Sequence, residues 1–192
     1  MVTPPLSSSR RVLRQRGFSM LEVLITIVVV SLGLLGMAGL QARVQVSEVE
    51  SYQRAQALVL LTDMVNRIAT NRTVAGTYVT GSTPLGAGMT CPTATTTLQQ
   101  NDFVEWCNAL QGAAETSGGN KLGAVIGGRG CVDGLSNGEY MVTVAWQGLT
   151  PISTPGSGVT CGANAYNTTG SMCVSDLCRR TVTTVVRIAP LM

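Results

Sequence analysis

Residues 14–30 read RQRGFSMLEVLITIVVV, an arginine-flanked glycine followed by an apolar run that holds one carboxylate, Glu22. From Val23 to Ala42 twenty consecutive residues carry no charge, and most are apolar. A helix of about 20 residues spans a hydrocarbon core about 30 Å thick, so this stretch is long enough to cross a membrane. Arg10, Arg11, Arg14 and Arg16 all precede Gly17, and no acid accompanies them. By the positive-inside rule they hold the N-terminal end in the cytoplasm and send the rest of the chain to the other side. A carboxylate inside such a span is costly and marks a functional position.

The apolar run is too long for an ordinary secretory signal, which ends in a small-residue cleavage site after a shorter stretch. Beyond it, QARVQVSEVESYQRAQALVLLTDMVNRIATNR (41–72) continues as helix without a break. Leu58, Leu61, Val65 and Ile68 recur at helical spacing, so one stripe packs on a domain and the other face is solvated. Glu50 and Arg54 form an i,i+4 pair in the favourable order. The helix is expected to end near Asn71. Its length is then about 50 residues, or roughly 75 Å at 1.5 Å per residue. Gly33, Gly36 and Gly39 interrupt the apolar half, each lowering helix stability by about 1 kcal/mol relative to Ala. They read either as close packing against another membrane helix or, since their spacing of three misses the G-x-x-x-G dimer pattern, as a locally weak, flexible helix segment.

Past residue 72 the chain turns rich in Thr and Gly. Residues 73–100 read as a long loop, and 101–115 as a short helix capped by Asn101 or Asp102 with Phe103, Cys107 and Leu110 on one face. The turn-rich stretch 127–134 leads through a short strand. Strict alternation then places Tyr140, Val142, Val144 and Trp146 on one face of a half-buried strand. After a Gly/Thr/Ser-rich connection at 147–172, residues 179–189 form a second clear strand, with Val182, Val186 and Ile188 on one side. Trp106 and Trp146 sit in apolar patterns and read as core. The predicted architecture is α+β: a long N-terminal helix whose second half packs on a small antiparallel sheet.

Composition narrows the function. The net charge of +3 comes from the N-terminal arginines, because nine basic and ten acidic side chains follow Gly17, a balance of −1. Such a body has no basic footprint for nucleic acid. Six cysteines, Cys91, Cys107, Cys131, Cys161, Cys173 and Cys178, all lie beyond the apolar run. Their even number suggests an oxidising compartment and up to three disulfides among fifteen possible connectivities. The pair Cys173 and Cys178 is too widely spaced for a common zinc pair, and the chain has no histidine, so no metal site is read. Without histidine there is no Ser-His-Asp or Cys-His arrangement, and no enzyme or cofactor is indicated. N-R-T at 71 and N-T-T at 167 match the glycosylation acceptor pattern, as a Thr-rich chain does by chance.

Gly17-Phe18-Ser19-Met20-Leu21-Glu22, with a basic residue before the glycine and the apolar run after, resembles the type IV prepilin signal. The likeness covers about 55 residues: cleavage site, glutamate spacing, apolar run and extended helix. It implies a pilin-like fold and a leader, residues 1–17, that a membrane-bound aspartic prepilin peptidase removes after Gly17 before methylating the new amine of Phe18. Residues 18–42 then form the transmembrane and assembly half of the helix, 43–71 its amphipathic half, and 72–192 an α+β head. By the same resemblance, Glu22 meets the terminal amine of a neighbouring subunit during assembly. Major pilins commonly carry a helix-breaking proline where this chain has Gly39. SLGLLGMAGLQARV (31–44) and the later GRGCV look like PilV-type minor pilins, and six cysteines depart from the two-cysteine loop of major pilins. The resemblance thus implies a non-enzymatic subunit in the inner membrane and then in a surface pilus near its tip. Its partners would be the other minor pilins, the major pilin and a large tip adhesin. Two alternatives are a minor pseudopilin of type II secretion, sharing this architecture, and a membrane-anchored periplasmic enzyme or receptor.

Overall fold

The computed structural model describes residues 17–81, 83–113, 116–118, 120–121 and 125–189. The arginines Arg10, Arg11, Arg14 and Arg16 and the rest of the expected leader up to Arg16 lie outside them. Two compact units divide between Val44 and Gln45. Helix α1 runs from Met20 to Thr70, close to the boundary read from the sequence. In the first unit α1 is exposed along its whole apolar length, from Met20 to Leu40. Among the described residues a span of this composition buries nothing, and its mean hydropathy of 2.5 suits a lipid solvent.

In the second unit α1 turns one stripe inward: Gln53, Ala57, Leu61, Met64 and Ile68 are buried. This is a correction to the expected stripe. Leu61 and Ile68 are shared, Val65 is only partly buried, and Leu58 is 45% exposed. Helical geometry chooses a face, and a small residue such as Ala57 on that face lets neighbouring elements come close, whatever the hydrophobicity of Leu58 beside it. The expected Glu50–Arg54 pair is also replaced. Glu50 accepts from Arg180 at 3.2 Å and from the Leu149 N–H at 2.7 Å, fastening α1 to the sheet and to the segment after it.

The expected loop at 73–100 is partly ordered. A 3-10 helix covers Arg72–Tyr78 and strand β1 covers Leu85–Gly86. Helix α2 spans Leu98–Leu110 and is capped by Thr97, not by Asn101 or Asp102. Thr97 Oγ1 accepts from the Gln100 N–H at 3.2 Å, and Gln100 Oε1 accepts from the Thr97 N–H at 3.3 Å, the reciprocal arrangement of a T-x-x-Q capping box. The helix ends earlier than expected, with Gly112 at a positive φ of 78° just beyond it. Two short strands, β2 (Thr116–Ser117) and β3 (Asn120–Lys121), pair with each other.

The main sheet has the order β1-β4-β5-β6 and is antiparallel throughout, with β4 at Arg129–Gly134, β5 at Glu139–Gln147 and β6 at Arg179–Arg187. Asn137 and Gly138, both at positive φ, turn the chain from β4 into β5. The inner face carries Val132, Val142, Val144 and Trp146, which share a core with α1, Tyr78, Trp106 and Leu110. The outer face is covered as well: Cys131, Ala145, Cys161 and Tyr166 form a second small core. The sheet centre is therefore buried on both sides, where alternation alone had read β5 as half-buried. Residues from the 148–178 segment form that cover, held by the Cys131–Cys161 disulfide.

Trp106 sets the distance between α2 and the sheet. Its indole N–H donates to the Leu60 carbonyl at 2.9 Å, and its ring lies directly against Gly130 on β4. A Cβ at position 130 would fall inside that ring. Gly130→Ala is therefore expected to destabilise the body by about 1–3 kcal/mol, the usual effect of overpacking a filled core. Urea denaturation reads this directly, and an unchanged midpoint would show that Trp106 can move aside.

Where α1 ends, a polar network joins it to α2. Arg67 on α1 reaches Asp63 at 3.0 Å, Asp102 at 2.7 Å and Glu105 at 2.7 Å. Tyr78 donates its hydroxyl to Asp102 and accepts from Asn71 Nδ2 at 3.0 Å. Burial works against the Arg67 charge, but the hydrogen bonds it donates to Glu105, Asp102 and Asp63 outweigh it and hold its pKa above the ordinary arginine range. The hydrogen bond from Arg67 holds the Glu105 carboxyl below its ordinary value. Burial, followed by the bond to Asp102, pushes the Tyr78 phenol from 10 up to about 12. The folded body thus holds that proton more tightly than the unfolded chain does. The Tyr78 contribution is complete below pH 10 and is lost as pH rises through about 12. Thermal unfolding between pH 9 and pH 12 is expected to show this loss, and Tyr78→Phe to flatten it.

Candidate assembly segment

The residues singled out at the N-terminus lie together at the start of α1. Gly17, Phe18 and Ser19 are non-helical and Met20 opens the helix. Ser19 is the residue that begins it. Its carbonyl accepts from the Glu22 and Val23 N–H groups at 3.0 and 3.2 Å, and its Oγ accepts from the Leu21 N–H at 3.3 Å. A serine at this position satisfies one of the donors that every helix leaves open at its first turn. In lipid such donors have no water to turn to. The reading of the sequence missed this role, although S-M-L-E is itself an S-x-x-E capping pattern.

Glu22 stands three residues into the helix from Ser19, in the first turn. A negative charge here is favoured by the positive end of the helix dipole. The surrounding side chains are apolar and open: Phe18 is 82% exposed and Met20 91%. The segment therefore offers an exposed apolar surface with one carboxylate in it, for which no partner stands among the described residues. Two other polar side chains of the span, Thr26 and Ser31, are satisfied internally. Thr26 Oγ1 donates to the Val23 carbonyl at 2.8 Å and Ser31 Oγ to the Ile27 carbonyl at 2.7 Å. Bonding back to the preceding turn is how such residues sit in lipid without an unmet donor.

Gly33, Gly36 and Gly39 fall within α1, with nothing close to where a Cβ would stand. Among the described residues no contact requires glycine at these positions.

The six cysteines form three disulfides: Cys91–Cys107, Cys131–Cys161 and Cys173–Cys178. They tie the segment before α2 to α2, β4 to the outer cover, and the two ends of the last turn before β6 to each other. With every thiol engaged, none serves as a nucleophile or a metal ligand in this state. Among the described residues no group of three or more His, Cys, Asp or Glu is placed to hold a metal ion.

Comparison with known proteins gives one match, confined to this segment. Residues 13–38 match the prokaryotic N-terminal methylation motif, the signature carried by pilin-type proteins. It contains Gly17, Phe18, Glu22, Gly33 and Gly36. No curated protein and no solved structure matches the chain.

Proposed function

We propose that the chain is a structural subunit of a type IV pilus, a minor pilin of the PilV kind that helps to prime assembly and stays near the tip. The observation that carries this reading is the Gly17-Phe18 junction, with Glu22 just inside an exposed apolar helix and all of it within a methylation motif. Cleavage before the apolar run removes the arginine-rich leader and leaves the span in the inner membrane. The cut also creates an amine on Phe18 within the same apolar surroundings as Glu22. In this reading the prepilin peptidase cleaves and methylates, Glu22 pairs with the amine of an adjoining subunit, and Gly33, Gly36 and Gly39 let the helix loosen where filaments require it. The body enters the periplasm and later the cell surface. Its companions are the other minor pilins, the major pilin and a large tip-associated adhesin. The three-disulfide body, more heavily stapled than a two-cysteine bulk subunit, supports a minor role.

Mass spectrometry of the membrane-extracted protein tests the processing step. The expected N-terminus is N-methylated Phe18 in cells that have the peptidase and the full leader in cells that lack it. Any other mature N-terminus overturns the reading. Deletion then separates two systems built on the same N-terminus: loss of twitching fits the pilus, whereas loss of exoprotein secretion assigns the chain to a type II secretion pseudopilus.

A further inference from the structure

Strand β6 closes one side of the sheet and, among the described residues, pairs only with β5. The Ile188 N–H donates to Gly138 O and the Cys178 carbonyl accepts from Gly148, so even-numbered residues of β6 turn their backbone toward β5. Antiparallel pairing then turns the N–H and C=O groups of Thr181, Thr183, Val185 and Arg187 the other way. Among the described residues none of these outward groups has a backbone partner. Thr183, Val185 and Arg187 are exposed. The strand runs nine residues without proline and in unbroken register. Sheet edges are normally blunted by short length, proline, bulges or inward charges, and β6 has none of these in its middle.

At its far end the edge runs into a groove of about 870 Å³. Tyr140 and Ile188 contribute its apolar lining, and Arg72 and Arg187 bring two guanidinium groups with no acid among the lining residues. Arg72 donates to the Ala189 carbonyl at 3.0 Å, and Arg187 pairs at 2.9 Å with Glu139 on the neighbouring strand. The backbone ladder calls for an extended peptide, and the two guanidiniums, with the single carboxylate of Glu139 between them, call for one more carboxylate on it. A second copy of this chain does not supply that carboxylate through the same strand, since Arg179–Arg187 contains three arginines and no acid.

We infer that the open edge of β6 takes up an extended strand of another protein, which pairs with Thr181–Arg187 and places an acidic residue in the groove lined by Arg72 and Arg187. Antiparallel addition continues the pattern of the whole sheet, so the acid lies toward the N-terminal end of the added strand. This inference does not depend on the processing of the N-terminus or on the kind of filament.

The test uses the full chain in detergent micelles and a fluorescein-labelled peptide, acetyl-Glu-Val-Thr-Val-Thr-Val-amide, beside the same peptide with Gln in place of Glu. Anisotropy is expected to show saturable binding, at least about tenfold tighter for the Glu peptide. Thr183→Pro removes an outward N–H without touching the ladder to β5, and should abolish binding. Arg187→Gln leaves the backbone unchanged and should bind both peptides equally, which keeps the test sharp if the proline variant folds poorly. Equal binding of the two peptides by the native chain overturns the proposal, as does binding that survives Thr183→Pro. Dimerisation of the chain that Thr183→Pro reverses would assign the edge to a second copy and overturn it too.

Discussion

Arg67→Met is expected to lower the stability of the body by about 3–5 kcal/mol, the usual effect of removing one partner from a buried ion pair. Arg67 pairs with three carboxylates at once, and the Asp102 side chain is only 8% exposed. Without the guanidinium, the Asp102 side chain is left in the interior with the Tyr78 hydroxyl and no cation, and Asp63 and Glu105 lose their common partner. The substituted Met fills comparable space, so the loss reports charge and not a cavity. At roughly 2–4 °C per kcal/mol for a chain of this size, the melting midpoint should fall by roughly 10 °C. Asp63→Ala is the contrasting change. That carboxylate is 39% exposed in an i,i+4 pair, so its removal should cost no more than about 1 kcal/mol. Similar midpoints for the two variants would mean that Asp102 finds another partner and that the network is not what joins α1 to α2.

Glu22→Ala is expected to leave membrane insertion intact and to remove the protein from filaments. Insertion should survive because deleting a charge makes the span more apolar. Incorporation should fail because an ammonium group brought beside Glu22 in low dielectric would be left without its counter-charge, at several kcal/mol. That corresponds to two or more orders of magnitude in an equilibrium constant. Immunoblots of sheared filaments against membrane fractions measure both quantities in one experiment. Glu22→Gln separates the charge from the local role at the helix start. Glutamine keeps the length and polarity of the side chain, and with them the S-x-x-E/Q sequence pattern, and has no charge. Failure of both variants identifies the charge as the requirement, whereas normal incorporation of the glutamine variant would sink the register role and leave Glu22 as a capping residue.

The parts of this protein that were legible in its sequence are those decided by local pattern. The apolar run, its flanking arginines and the carboxylate inside it need no tertiary partner to be recognised. The alternation of Tyr140, Val142, Val144 and Trp146 correctly marked the inner face of β5 for the same reason. What escaped was decided between distant elements. Asp102 looked like a helix cap because acids favour that position, yet Arg67 claims it from 35 residues away, and the cap falls to Thr97. Ala57 lost to Leu58 in a reading weighted by hydrophobicity, while packing favoured the small residue. The outer cover of the sheet has no periodicity to announce it. Its position follows from Cys131–Cys161, and six cysteines alone leave fifteen pairings open. Asn137-Gly138 was a local signal that went unread, a pair suited to the two positive φ angles of a tight hairpin. At the N-terminus, the Ser19 cap was likewise present in the letters and overshadowed by the motif around it.

The disulfides pair in strict succession: first with second, third with fourth, fifth with sixth. No bridge encloses another. A chain threaded across a membrane delivers its residues in sequence order, so each cysteine that awaits a partner meets the right one next. In a chain delivered that way, Cys107 would arrive while Cys91 is the open thiol, Cys161 while Cys131 is open, and Cys178 would close the set. An oxidant that joins thiols in order of arrival makes the native pattern without reshuffling, and the staples can be in place before β6, the last strand, has docked.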